Sequence, residues 1–181
     1  VGIVSLLATV VIGLYLVLIS GMQIMPVGLI GVILIVTYTQ WINRSPVLCL
    51  IAPGLGFGTL MVMGTHVILT GEYSLLAWQL SLVPFFLTNN LLLLNQYPDI
   101  IADTSVGRKT FPIVFGVKKS NLAYAVFMLS AYLPILIYVV NGLIPGLCLI
   151  AFIPMLFSLF ALAGGVKYSS NIGDSPQHLA A

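Results

Sequence analysis

Long apolar runs separated by short polar turns constrain this chain more than any other feature. Six such runs cover residues 1–20, 26–41, 46–70, 74–94, 120–140 and 143–166. The first run carries no charge, and about twenty residues of α-helix span the roughly 30 Å hydrocarbon core of a bilayer. Only 6% of all residues are charged, whereas a soluble domain carries roughly a quarter. The sequence therefore predicts an all-α, polytopic transmembrane helical bundle of about six spans.

The predicted organisation is one membrane domain followed by a short tail. We expect the bundle to cover residues 1–166, with a polar loop at 95–119, and a polar C-terminal tail to cover 167–181. The chain starts inside an apolar run, without Met or a basic segment, so we expect the true N-terminus to lie upstream. The segment Pro53–Gly58 contains three glycines, which permit close helix contact or a local break.

The basic residues indicate an orientation in the membrane. If the six spans alternate in direction, one side receives all six of them: Arg44, Arg108, Lys109, Lys118, Lys119 and Lys167. The other side receives only Glu72. Because basic residues stay in cytoplasmic loops, we predict an integral protein of the cell or inner membrane, with the 95–119 loop and both chain ends in the cytoplasm. No basic run is dense enough to predict a nucleic-acid partner.

An acidic stripe interrupts the apolar sequence near its centre. Asn95, Asp99 and Asp103 are spaced four apart, which places their oxygen atoms on one helical face. Carboxylates at that spacing can hold Mg²⁺ and leave positions for water and phosphate oxygens. Arg108 and Lys109 follow, and such cations bind diphosphate oxygens by charge-assisted hydrogen bonds. The pattern predicts a metal–diphosphate site in which Asp99 and Asp103 ligate the metal and Asn95 adds a neutral oxygen or a hydrogen bond.

A purely structural reading competes with this one. Pro98 either kinks the fourth span or ends it near Asn95 and opens a new short helix, because proline cannot donate to the preceding turn. Asp99 after Pro98 would suit a solvated helix N-terminus. The position beside apolar spans favours a functional role, since acidic groups are costly there.

The central run resembles a known family motif. Residues 95–103, continuing through Gly107-Arg108-Lys109-Thr110 to Gly116, resemble the second aspartate-rich motif of the UbiA superfamily of intramembrane prenyltransferases. Gly54–Gly58, with Gly64-Thr65 and Thr70-Gly71, is similar to the span preceding that motif. The resemblance implies a bundle of about nine spans with a Mg²⁺-dependent site opening toward the cytoplasm. It also implies transfer of a polyprenyl group from its diphosphate to an acceptor, often an aromatic ring.

The resemblance also implies roles for individual residues, with Asp99 and Asp103 as the catalytic pair. Asp99 and Asp103 would hold Mg²⁺ on the diphosphate with Asn95 assisting, and Arg108 and Lys109 would stabilise the departing charge. Tyr38 and Arg44 keep the spacing of a tyrosine and a basic residue found in many relatives. Arg44 would then reach the diphosphate, or else anchor the chain at the membrane interface; both readings stay open. The implied partners are polyprenyl diphosphate, a lipid-soluble or aromatic acceptor, and membrane lipids.

One part of the family pattern has no counterpart here. The first acidic motif, N-D-x-x-D-x-x-x-D, is missing, and the other acids, Glu72 and Asp174, form no such pattern. We therefore expect an incomplete portion of the enzyme, most simply spans three to eight, that does not catalyse alone. The resemblance over Tyr38 to Gly58 favours an aromatic, naphthoate-type acceptor in quinone or related lipid biosynthesis.

Three residues are candidates for lining a substrate cavity, namely Tyr38, His66 and Asn90. His66 and Asn90 lie within predicted spans, where they would line a substrate cavity or form packing hydrogen bonds between helices. Two other functions remain as alternatives to the enzyme. In a transporter or channel, Pro53–Gly58 would be a broken helix lining an ion path. A non-catalytic assembly subunit would account for the missing first motif.

Overall fold

The computed structural model describes residues 2–172, without the side chains of residues 39–40 and 168–172. The α-helices of this region are α1 (Gly2–Ser20), α2 (Met25–Gln40), α3 (Pro46–Gly54), α4 (Met61–Thr70), α5 (Leu75–Asn95), α6 (Ile100–Ser105), α7 (Phe111–Val140) and α8 (Ile153–Ile172). A π-helical segment, Leu55–Leu60, joins α3 to α4. Short 3₁₀ turns occupy Met22–Ile24, Ile42–Arg44 and Gly146–Phe152.

The helices have the lengths and apolar character of membrane spans. The five segments long and apolar enough to cross a bilayer are Gly2–Ser20, Pro46–Thr70, Leu75–Asn95, Phe111–Val140 and Gly146–Lys167. A sixth helix, Met22–Tyr38, is apolar but shorter. No strand occurs between residues 2 and 172. The prediction of an all-α polytopic membrane bundle is confirmed.

Residues in the polar turns start and end these helices through capping hydrogen bonds and a left-handed glycine. Ser45 and Ser74 cap α3 and α5, with their hydroxyls accepting the amides of Leu48 at 3.5 Å and Ala77 at 3.3 Å. Gly71 ends α4 in the left-handed conformation, at φ 76°. These residues satisfy backbone groups that a helix end leaves open, so the boundaries follow closely from the sequence.

The glycine-rich segment forms both a break and a close contact, the two alternatives expected for it. Leu55–Leu60 widens into a π-helix, and Gly54 and Gly58 press against α5. A Cβ on Gly54 would overlap the Phe85 carbonyl oxygen, and one on Gly58 would overlap the Phe85 backbone nitrogen. The buried Asn89 side chain accepts the Gly54 amide at 2.6 Å. Glycine therefore fixes how closely the third and fourth apolar segments pack.

The core lies between α5, α7 and the start of α3. It consists of Leu50, Leu93, Tyr124, Met128, Ala131, Tyr132 and Ile135. Asn90 of α5 donates to the Tyr124 carbonyl of α7 at 3.1 Å. In contrast, α1 has no buried residue. The tightly packed helices are the ones that flank the acidic stripe.

The structure differs from the sequence prediction in two segments. The predicted loop 95–119 is partly helical, because α6 lies within it and α7 begins at Phe111. Pro112 in the first turn favours that start, and only Gly116 interrupts the helix, at φ 81° and ψ 163°. The predicted tail also begins as helix, since α8 continues to Ile172. Residues 173–181 lie outside the described part of the chain.

Candidate functional site

The acidic stripe lines a small cavity where the α2–α3 turn meets the α5–α6 turn. We call it the acidic cavity, and its volume is about 160 Å³. Its lining residues are Tyr38, Asn43, Cys49, Pro53, Leu92, Asn95, Gln96, Asp99, Asp103, Arg108 and Thr110. The structure thus brings together the three predicted metal ligands and Tyr38, a predicted cavity residue.

The two aspartates lie one helical turn apart. Helix α5 ends at Asn95, Pro98 lies in the following turn, and α6 begins at Ile100. Asp99 occupies the N-cap position, but its side chain makes no capping hydrogen bond. The Asp103 amide donates to the Asp99 carbonyl at 2.8 Å. The helix therefore ends and restarts, and the Asp99 carboxylate is left available to a ligand.

A helix-ending motif places Arg108 next to Asp103. Gly107 adopts φ 75°, the Gly107 amide donates to the Thr104 carbonyl at 3.1 Å, and the Arg108 amide donates to the Asp103 carbonyl at 2.9 Å. These two bonds form a Schellman motif, which a glycine at this position permits. The Arg108 side chain then folds back, and its Nη1 donates to Asp103 Oδ1 at 2.9 Å. This hydrogen bond, with the attraction between the charges, raises the pKa of Arg108, which remains protonated.

A second cavity, which we call the cationic cavity, adjoins the first. It measures about 310 Å³ and is lined by Asn43, Arg44, Val106, Gly107, Arg108 and Lys109. All three predicted diphosphate-binding residues are among them. Asn43 and Arg108 line both cavities. An anion that bridges the two spaces would therefore meet carboxylates at one end and cations at the other.

Two neutral residues of the acidic cavity have buried polar atoms without partners. Thr110 is only 2% exposed, and neither its hydroxyl nor the Gln96 side-chain oxygen has a hydrogen-bond partner. Thr110 is the N-cap of α7 but makes no capping bond, and Pro112 at the second helical position has no amide to offer. In the sequence, a threonine two residues before a proline is the pattern that could have indicated this unpaired hydroxyl. Buried polar groups left unpaired are costly, so a ligand that paired them would be favoured.

A hydrogen bond to α7 stabilises the turn that carries Asp99. The Tyr97 hydroxyl donates to Asn121 Oδ1 at 2.7 Å. Burial raises the pKa of Tyr97 to about 12, so the phenol stays neutral and keeps its donor proton at physiological pH. Sequence reasoning did not identify this support, because neither residue belongs to the acidic stripe.

Two predicted cavity residues lie elsewhere. Asn90 is buried between α5 and α7 and lines neither cavity. His66 lies in α4, past the π-helical segment, and also lines neither cavity. Asn90 makes the interhelical packing bond described above, which was the alternative reading of that residue.

The donor set of the acidic cavity fits a hard cation. Asp99, Asp103, Asn95, Gln96 and Thr110 all present oxygen atoms, and Mg²⁺ is characteristically bound by one or two carboxylates plus substrate phosphates. Within residues 2–172, no group of three His, Cys, Asp or Glu side chains lies close enough together to hold a metal ion without other ligands. The described part of the chain therefore offers part of a coordination shell, with positions left for water and a phosphate ligand.

Gly107→Ala should disturb this arrangement without removing any ligand. Alanine at φ 75° is strained by roughly 1 kcal/mol, so the Schellman bonds should weaken. We expect the Arg108 amide to exchange its hydrogen roughly fivefold faster, measured by hydrogen–deuterium exchange of the 100–110 segment. Gly107→Asn is the matched control, because asparagine tolerates this conformation better. Equal protection of Arg108 in the glycine and alanine proteins would contradict the prediction.

Comparison with known proteins gives one clear match. The model of the UbiA prenyltransferase family matches residues 1–174. No curated protein and no solved structure matches the chain.

Proposed function

Because the chain belongs to the UbiA prenyltransferase family, we propose that it is the portion carrying the second acidic motif of an enzyme for Mg²⁺-dependent transfer of a polyprenyl group from polyprenyl diphosphate to a lipid-soluble acceptor. The observation that carries this proposal is the junction of the two cavities. Carboxylates and cations meet there, with Arg108 on both walls. A metal-bound diphosphate has the charge distribution that such a junction would bind.

The cationic cavity supports the placement of the diphosphate. Arg44 comes from the α2–α3 turn, while Arg108 and Lys109 follow α6. Guanidinium and ammonium groups bind phosphate oxygens by short, charge-assisted hydrogen bonds. We propose that these three residues hold the diphosphate and stabilise the negative charge that develops on it. Of the two readings of Arg44, its place on this cavity wall favours the diphosphate contact.

The acidic cavity supports the placement of the metal. Asp99 and Asp103 would hold Mg²⁺, with Asn95 assisting and the free oxygens of Gln96 and Thr110 positioning its water ligands. When bound, Mg²⁺ would withdraw electron density from the diphosphate oxygens and stabilise the leaving group.

In the reaction we propose, the allylic carbon–oxygen bond breaks and the diphosphate leaves with the electron pair. The acceptor carbon then bonds to the allylic carbon and releases a proton to water. The Tyr38 ring lies on the wall of the acidic cavity, and its face would stabilise the allylic cation.

The proposal extends to the acceptor and to the side of the membrane on which the cavities open. We propose an aromatic acceptor in quinone or related lipid biosynthesis, supported by the resemblance over residues 38–58. We also propose that both cavities open to the cytoplasm, supported by the basic residues on their walls and the positive-inside rule.

The packing of the glycine segment argues against the transporter alternative. That alternative requires Pro53–Gly58 to line a path through the membrane. Gly54 and Gly58 are instead buried against α5, and the Gly54 amide already donates a hydrogen bond to Asn89.

Removal of the metal tests the proposed function. Membranes from cells that naturally express the protein should transfer a radiolabelled polyprenyl group to an aromatic acceptor and release one diphosphate per product. Chelation by EDTA should reduce the product to background, and added Mg²⁺ should restore it. Membranes from cells lacking the gene are the control. Gene-dependent transfer that persists in EDTA would refute the metal-dependent proposal.

A further inference from the structure

Arg108 occupies a position in which it competes for a metal ligand. Its Nη1 lies 2.9 Å from Asp103 Oδ1, one of the two carboxylate oxygens that a cation in the acidic cavity could bind. The Asp103 side chain is 12% exposed and that of Arg108 is 49% exposed. The carboxylate is therefore enclosed, while the guanidinium is free to move into the adjoining space.

A divalent cation arriving alone would meet an unfavourable arrangement. It would either displace the guanidinium from Asp103 or share the carboxylate with it, and in both cases the guanidinium charge would remain close to the cation. Among residues 2–172, Asp99 is the only other carboxylate lining the acidic cavity. Two carboxylates, one of them already paired, make a weak site for a free divalent ion.

A diphosphate changes this balance because it offers Arg108 a second acceptor. Arg108 already lines the cationic cavity together with Arg44 and Lys109. A diphosphate bound there would accept hydrogen bonds from the guanidinium and release Asp103 to the metal. The exchange replaces one charged hydrogen bond with another, so it costs little when metal and anion arrive together.

We propose that Arg108 is an exchanging counter-ion that makes the site selective for the metal–diphosphate complex over the free metal. It pairs with Asp103 in the empty site and with the diphosphate in the loaded one. This inference rests on the proposed function, and it adds that metal and diphosphate bind with strong mutual dependence.

Equilibrium dialysis of the purified full chain tests the inference, with Mn²⁺ as the metal and inorganic diphosphate as the anion. The wild-type protein should retain Mn²⁺ at least about tenfold more tightly when diphosphate is present. Arg108→Gln should bind Mn²⁺ alone about threefold to tenfold more tightly than the wild type, because Asp103 is released. The same variant should lose most of the dependence on diphosphate.

Lys109→Gln is the matched control. It removes the same charge from the cationic cavity, but Lys109 does not line the acidic cavity, so affinity for Mn²⁺ alone should change less than twofold. Gly107→Ala keeps both charged side chains and loosens their contact, so it should raise Mn²⁺ binding in the same direction as Arg108→Gln. This second variant tests the inference independently if Arg108→Gln folds poorly.

The possible failures are distinguishable. Mn²⁺ binding that is equally tight in the wild type and Arg108→Gln, or equally raised by Lys109→Gln, would overturn the exchange while leaving the proposed function intact. A wild-type protein that retains no Mn²⁺ even with diphosphate would also overturn the inference, whereas loss of the gene-dependent, Mg²⁺-dependent transfer in membranes would overturn the proposed function.

Discussion

Asp103→Asn should lower polyprenyl transfer by about 10²- to 10³-fold, the loss typical when one electrostatic contact to a developing charge is removed. The change keeps the shape of the side chain but removes a carboxylate from the acidic cavity. It also leaves Arg108 without its charged partner. Asp99→Asn should lower transfer to a similar extent, since Asp99 is the other carboxylate of that cavity. Rates of product formation in membranes of a gene-deleted strain carrying each variant provide the measurement.

Glu72→Gln is the matched control for both variants. It removes one negative charge from the turn between α4 and α5, and Glu72 lines neither cavity. Transfer by this variant should equal that of the wild type. If Asp99→Asn or Asp103→Asn also retained full transfer with Mg²⁺, the assignment of the acidic cavity as the metal site would be wrong.

Gly58→Ala should cause a large loss of stability for a change of one methyl group. The added methyl would lie 2.5 Å from the Phe85 Cα and would also overlap the Phe85 backbone nitrogen. Backbone atoms cannot rotate away as a side chain can, so α5 must separate from the π-helical segment. Overpacking of this kind costs about 1–3 kcal/mol. The midpoint of thermal unfolding in detergent should fall by roughly 3–10 °C.

Gly31→Ala separates this effect from a general response to losing a glycine. Gly31 is also helical and lies in α2, but a Cβ there would meet nothing within 4 Å. Alanine has the higher helix propensity, so this variant should be neutral or slightly more stable. An equally stable Gly58→Ala protein would show that α3–α4 and α5 are not packed at the distance described.

The span boundaries were readable from the sequence because apolar runs and local stop signals coincide. Ser45 and Pro46 open α3, and Gly71 closes α4, within a residue of the predicted positions. The start of α7 was not readable in the same way. Lys118 and Lys119 resemble a polar loop in sequence, but both lie within α7 and are exposed. Exposure lets a helix carry charges that a buried span would exclude.

The candidate site was only partly accessible to sequence reasoning. The i, i+4 spacing of Asp99 and Asp103 depends on local helix geometry, which the sequence indicates directly. The pairing of Arg108 with Asp103 depends instead on the positive φ of Gly107. The contribution of Gln96 depends on tertiary burial, and an uncharged side chain gives no compositional signal for it.

The break at Gly116 has a consequence for how the protein tolerates different bilayers. An unbroken α7 of 30 residues would measure about 45 Å, well beyond the roughly 30 Å of hydrocarbon. The break divides α7 into Phe111–Phe115, which follows Thr110, and residues 117–140, which are long enough on their own to span the hydrocarbon. A long helix answers changes in membrane thickness by tilting. Because the helix is interrupted at Gly116, we expect tilting of the long segment to be transmitted less rigidly to Thr110 and the acidic cavity.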